Sequence, residues 1–163
     1  MPRRYWLMKS EPFKYAWEEL VRDGRTYWDG VRNYEARNNL AAMKKGDLAF
    51  YYHSNEGKEI VGIAEIVKES YPDPTTDDER WVVVDIEPRI AFSNPVSLGT
   101  IKADPKLEEI QLVKRGRLSV VPITAAEFRY VAKLGKTKVP PQAGGGGARA
   151  GSGGAASRAS RAR

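Results

Sequence analysis

The residues best equipped for chemistry lie between Trp28 and Asn39, in the run Trp-Asp-Gly-Val-Arg-Asn-Tyr-Glu-Ala-Arg-Asn-Asn. Asp29, Arg32, Asn33, Arg37, Asn38 and Asn39 crowd there beside one Trp and one Tyr. Asparagine is a mediocre helix former, so three of them at one helix cost stability unless they cap, hydrogen-bond or bind. Side-chain amides can read the polar edge of a base, arginine can meet phosphate, and an aromatic face can stack on a base. The same residues could instead form a polar network tying the helix to a sheet.

Other chemistries find little support. His53 is the lone histidine, set in an apolar strand, and no acidic cluster with ligand spacing surrounds it, so no metal site is expected. With no cysteine, disulfides and thiolate catalysis are excluded. There is no G-x-S-x-G, P-loop or G-x-G-x-x-G, and Gly144 to Gly147 lie in a low-complexity stretch rather than between a strand and a helix. Asp77-Asp78-Glu79 reads as a solvated surface run. No cofactor is expected.

The elements that must position these residues follow from periodicity and turn signals. Arg4 to Lys9 reads as a strand ended by Pro12, and Tyr15 to Arg22 as a helix stopped at Asp23-Gly24. Thr26 to Gly30 is a short extended piece, and Asn33 to Met43 a second helix. Asp47 to His53 and Ile60 to Val67 form a hairpin across Asn55 to Lys58. Tyr71 to Asp78 is a loop, and Trp81 to Ile86 a buried strand, continuing to Phe92 with a break at Pro88. Ser93 to Leu107 is a loop with a helical turn at Leu98 to Ala103. Glu108 to Val113 fits helix or strand, Arg115-Gly116-Arg117 breaks it, and Leu118 to Val121 is a last strand. Thr124 opens the clearest helix by capping-box spacing to Glu127, stopped by Gly135. In the strand Phe50-Tyr51-Tyr52, the first and third rings share one face. The whole is α+β, with a mixed, strongly curved sheet or small barrel.

The chain has 163 residues and a formal charge of +6. Residues 1–138 read as one folded domain. Residues 139–163 hold four arginines, no acid and no aromatic, and read as a disordered basic tail, either solubilising or attracted to phosphate. The folded part carries only +2, from 23 basic and 21 acidic residues, so charge alone does not prove a nucleic-acid partner. The apolar run after Arg3 and Arg4 is four residues, far short of a signal peptide or the roughly 20 residues that span a bilayer, so a cytoplasmic chain with no membrane partner is expected.

Five segments in matching order resemble the EVE domain family: Tyr5 to Pro12, Trp28 to Asn39, Met43 to Asp47, Phe50 to Asn55, and Ile60 to Ala64. The resemblance covers about residues 3 to 135 and implies a PUA-like fold, a curved mixed β-barrel flanked by helices. It also implies a pocket for a modified nucleobase, with modified cytosine in DNA leading. The implied walls are Trp6, Lys9, Ser10, Glu11 and Pro12, then Trp28, Gly30, Val31, Arg32, Asn33 and Arg37, then Tyr52, His53, Ser54 and Asn55. Trp28 or Tyr52 would stack, Ser10, Asn33 or Ser54 would read the base edge, and Lys9, Arg32 or Arg37 would meet phosphate. Glu35 stands where the family pattern usually has Gln, placing an acid near that phosphate, and the doubled Tyr51-Tyr52 departs from the usual third motif.

The leading expectation is a non-catalytic reader of a modified base in DNA or RNA. An enzyme acting on a nucleotide-like substrate would need Lys9, Glu11 and His53 to converge in one cleft. A binder of a nucleoside or other small molecule would share the pocket but need no basic rim.

Overall fold

Tyr5–Ser10 (β1) is apolar on both faces, with Trp6, Leu7 and Met8 fully buried, and a strand of that kind belongs inside a sheet. It lies between Leu48–His53 (β3), with which it runs parallel, and Val120–Ile123 (β6), antiparallel to it. A parallel pair cannot be joined by a hairpin. The crossover is made by Trp17–Asp23 (α1), Thr26–Tyr27 (β2) and Tyr34–Ala42 (α2). Glu59–Pro72 (β4) and Val82–Ser97 (β5) extend the sheet on the other side of β3. Leu98–Ala103 (α3), a 3-10 turn at Pro105–Leu107, Gln111–Lys114 (α4) and Ala125–Leu134 (α5) complete the fold. The computed structural model describes residues 3–142; the expected tail from residue 143 onward lies outside the described residues.

The strand order is β2-β5-β4-β3-β1-β6. The expected barrel is therefore a curved open sheet, with β2 and β6 as its edges. Closure would need those edges to pair, and β2 has only two residues, which pair with β5. Curvature comes from register shifts, four of them between β4 and β5. These shifts also explain two differences from the expected strands. Pro88 does not break β5, because it sits where the register slips opposite Ala64. Asn94 and Pro95, expected in a loop, fall in the bulge between Ala91 and Val96. Tyr71 and Pro72 likewise belong to β4 rather than to the loop.

Helix ends follow local chemistry. Asn33 Oδ1 accepts the Ala36 amide at 2.9 Å and caps α2. Asn39 Nδ2 donates to the Val120 carbonyl at 2.7 Å and ties α2 to β6, so two of the three asparagines are structural. Thr124 and Glu127 form the capping box of α5, each accepting the other's amide at 3.1 Å. Glu108 to Val113, open between helix and strand, is resolved by α4, a single helical turn. The aromatic run of β3 divides as its alternation requires. Phe50 stacks on Phe128 of α5 at 3.9 Å, while Tyr51 meets Trp17 and Trp28 edge-on at 5.5 Å. Gly62 on β4 is where Trp17 crosses the sheet; a Cβ there would stand 2.6 Å from its ring.

Asp47 holds the start of the β1–β3 pair. Its buried carboxylate accepts the Arg4 amide at 2.9 Å, the Trp6 indole N–H at 3.0 Å and the Lys44 amide at 3.0 Å. Replacing Asp47 by Ala strands an indole N–H and two amides, so the variant loses about 2 to 4 kcal/mol of stability by urea unfolding. A loss under about 1 kcal/mol would mean that water serves these donors and that Asp47 is not the tie.

Candidate functional site

The C-terminal end of β1 delivers Lys9 and Ser10 beside Tyr52 and His53 of β3, in parallel register. Beyond β3 the chain turns through Asn55, Gly57 and Lys58, which take positive φ values of 67°, 81° and 47°. This turn, the end of β1, α3 and the α4–Gly116 segment enclose a cavity of about 310 Å³. Its cationic walls are Lys9, Lys58 and Lys102, its apolar walls Leu98, Leu112 and Val113, and its polar walls Tyr52, Ser54 and Asn55. Gly116 closes one side and also lines a second recess of about 290 Å³, with Asn33, Lys114, Arg115, Arg117 and Leu118. No carboxylate lines either space. The first lies at the lower end of the range of small-ligand pockets.

Lys9 spans the boundary between the two. Its ammonium donates to the Gly116 carbonyl at 2.8 Å and lies 3.4 Å from that of Arg115. Burial pulls its pKa from 10.5 down to about 8. Folded Lys9 thus releases its proton near pH 8 while the unfolded residue keeps its own to about 10.5, so its burial costs stability below pH 8 and that cost is relieved as pH rises between the two. Burial likewise pushes the Tyr52 phenol up, which keeps it a neutral hydrogen-bonding ring.

Glu35, the acid that departs from the family pattern, is not a free anion facing phosphate. Arg115 holds it through two guanidinium nitrogens, one at 2.7 Å, and these hydrogen bonds lower its carboxyl below the usual value. The pair clasps α2 to the loop whose carbonyls receive Lys9.

Several expected wall residues build the frame instead. The Ser10 hydroxyl donates to the Tyr15 carbonyl at 3.0 Å, and its own carbonyl accepts the Ser54 amide at 2.9 Å. His53 Nε2 accepts the Trp17 amide at 3.0 Å, satisfying a free donor at the start of α1. Burial lowers the His53 pKa, against the pull of Glu18 and Glu59, in keeping with a neutral ring. Trp6 and Trp28 are fully buried, at 1 % and 0 % exposure. Gly30, with φ 82°, donates its amide to Asp73 at 3.1 Å, and Val31 is core. Arg32 is engaged by the buried Asp73 at 3.0 Å and reaches Thr75, with its guanidinium over Trp81. Burial works against the Asp73 charge, but hydrogen bonds from Thr75, Gly30 and Arg32 hold its carboxyl below the usual value.

The remaining expected residues lie away from the cavity walls. Glu11 faces Lys14 at 3.9 Å, and Pro12 follows it, partly exposed. Arg37 lies over Tyr34 and donates to the Arg80 carbonyl at 3.3 Å, with its Nε buried and unpartnered. The fold thus gathers Lys9, Tyr52, Ser54 and Asn55 in the cavity and Asn33 in the adjoining recess. Lys58, Lys102, Leu98 and residues 112–118 were missed. Arg115-Gly116-Arg117 reads in sequence as a chain breaker, although its two charges flanking glycine were a visible sign of a basic loop. No group of three His, Cys, Asp or Glu that could hold a metal ion occurs among the described residues, and no helix among them is long and apolar enough to cross a membrane.

An open mixed sheet with helices on its faces and a basic cavity at the end of its central parallel pair defines an α+β domain of the PUA-like kind. The chain belongs to the EVE domain family, whose model matches residues 4–134. It is 38% identical over 168 residues to mouse thymocyte nuclear protein 1, covering 82% of this chain and 74% of that protein. A crystal structure of an Agrobacterium tumefaciens protein superposes with a TM-score of 0.83 at 49% identity, over 85% of this chain and 97% of the other. Human thymocyte nuclear protein 1 in complex with DNA containing 5-methylcytosine superposes with a TM-score of 0.74 at 35% identity, over 83% and 99%.

Two measurements check this geometry. Lys9, followed by NMR through its side-chain carbons, titrates near pH 8; a midpoint above about 10 would mean that the ammonium is solvated and not part of the cavity wall. Trp28→Ala loses about 3 to 5 kcal/mol of stability, as for any large core aromatic, whereas a loss below about 1 kcal/mol would show an indole that is free to leave the core.

Proposed function

We propose that the chain is a non-catalytic reader of a modified nucleobase, with 5-methylcytosine in DNA as the leading ligand. The observation that carries this reading is that every charged residue lining the cavity and its recess is basic, in a family whose human relative is known in complex with DNA containing that base. A flipped base enters the cavity against Tyr52 and the apolar side chains of Leu98 and Leu112. Ser54 and Asn55 supply hydrogen bonds to its polar edge. Lys9, Lys58 and Lys102, with Lys114 and Arg117 beyond Gly116, hold the flanking phosphates.

The competing readings receive less support. Lys9, Glu11 and His53 do not converge, since only Lys9 lines the cavity and His53 is spent on a backbone amide. A binder of a neutral metabolite would not need three lysines and no carboxylate in the cavity lining.

The full chain is expected to bind an oligonucleotide carrying 5-methylcytosine more tightly than the same sequence with cytosine or N6-methyladenine. Equal affinities for all three would end the base-reading proposal. A phosphate near Lys9 stabilises its charged form, so affinity is highest below pH 8 and falls as pH rises through that value. Lys9→Met lowers affinity and flattens that dependence. A parent chain whose affinity does not change from about pH 7 to pH 9 would remove Lys9 from the interface.

A further inference from the structure

The charge of this chain is unevenly placed. Between Ala125 and Arg163 fall eight of its 27 basic residues and one of its 21 acidic residues. That stretch carries +7, which leaves −1 on residues 1–124. Its described part is α5 with the segment that follows. Together they form an open groove of about 420 Å³ lined by Arg129, Lys133, Lys136 and Lys138 around Ala132, Thr137 and Val139.

All four cations are exposed, and none of them forms an ion pair with another described residue, although ten ion pairs join other charges of the domain. Lys133 alone is accounted for by the negative end of the α5 dipole.

Their scaffold is built rather than frayed. The Gly135 amide donates to Val131 at 2.9 Å and that of Thr137 to Ala132 at 3.0 Å. The Asn94 amide donates to the Gly135 carbonyl at 3.0 Å, and the Ser93 amide to the Thr137 hydroxyl at 3.1 Å. Lys136 is held at φ 53°, a conformation a lysine adopts at some cost. Phe92 packs so closely under Gly135 that a Cβ there would stand 2.4 Å from its ring. Phe50 of β3 carries α5 through its stack on Phe128, and Tyr52 of the same strand walls the cavity, so one strand supports both the helix that bears the groove and the cavity.

We infer that this face is a second contact for the nucleic acid, one that grips the sugar–phosphate backbone without regard to base. The inference rests on the nucleic-acid reading above. A phosphate chain matches unpaired exposed cations on a fixed scaffold, because each neutralised phosphate releases counterions. An anionic membrane fits less well, since a bilayer-binding face also inserts large apolar side chains. None of the large exposed hydrophobics, Phe13, Val21, Tyr34 and Ile90, lines the groove.

The test uses the full chain and the variant Arg129→Ala/Lys133→Ala/Lys138→Ala. Lys136 is left in place because alanine tolerates its backbone poorly. Each protein is titrated with duplexes containing cytosine or 5-methylcytosine between about 50 and 200 mM salt. The plot of log affinity against log salt is expected to become shallower by about 2 to 3 for both duplexes. The ratio of the two affinities is expected to stay unchanged. A variant that exchanges lysine and arginine at the same three positions keeps the parent slope, which separates charge from folding. Equal slopes for the parent and the alanine variant would overturn the inference. So would an unchanged slope together with lost binding to phosphatidylserine vesicles, which would give the face to a membrane. A shallower slope in a chain that never distinguishes the two duplexes would support this backbone contact while ending the base-reading proposal.

Discussion

The parallel pairing of β1 with β3 is the constraint on which the rest of the structure depends. Six consecutive residue pairs, from Tyr5 with Leu48 to Ser10 with His53, set the centre of the sheet. A parallel pair buried on both faces requires a crossover and a cover on each side. The crossover brings Trp17, Trp28 and the capped α2 onto one side of Tyr51, and α5 covers Phe50 on the other. The Asp47 carboxylate fixes the beginning of the pair, and the Ser10–Ser54 hydrogen bond continues it past the end of the strands. A slip of one residue would send Phe50 toward Trp28 and Tyr51 toward α5, and would break the hydrogen bond the Tyr51 hydroxyl donates to the Tyr15 carbonyl at 2.6 Å.

The cavity is a consequence of where that pair ends. Lys9 and Tyr52 are neighbours in the register, so an ammonium and a phenol reach the same space without any loop having to place them. The opposite wall comes from residues 98–118, which have no local reason to be there. They are held by contacts distant in sequence, Lys9 to Gly116 and Glu35 to Arg115. The partial burial that lowers the Lys9 pKa therefore reflects two structures at once, the end of a rigid strand and a loop clasped over it.

The polar run from Trp28 to Asn39 shows how one composition serves both framework and site. Asn33 caps its helix and still lines a recess, Asn39 is wholly structural, and Arg32 is taken up by a buried aspartate. The structural explanation for this segment holds at Asn33, Asn39 and Arg32, and Asn33 also faces the recess. Framework accounts for most of it because a helix crossing a sheet edge leaves backbone carbonyls and amides that must be paired.

Local physics and the matching segments made much of this legible in the sequence. Strand and helix positions, the capping box at Thr124, the Asn33 cap region, the helical turn at Leu98 to Ala103 and the family itself follow from residues close together in the chain. The contributions of Lys9, Tyr52, Ser54 and Asn55 to one cavity follow from the same segments. The tertiary structure alone decided that the sheet stays open, because closure depends on whether two edges 92 residues apart meet. It alone recruited Lys58, Lys102 and residues 112–118 to the cavity and its recess, and retired Trp6, Trp28 and His53 to the frame. Periodicity reports which face of an element is apolar, and it carries no information about which distant segment will cover that face.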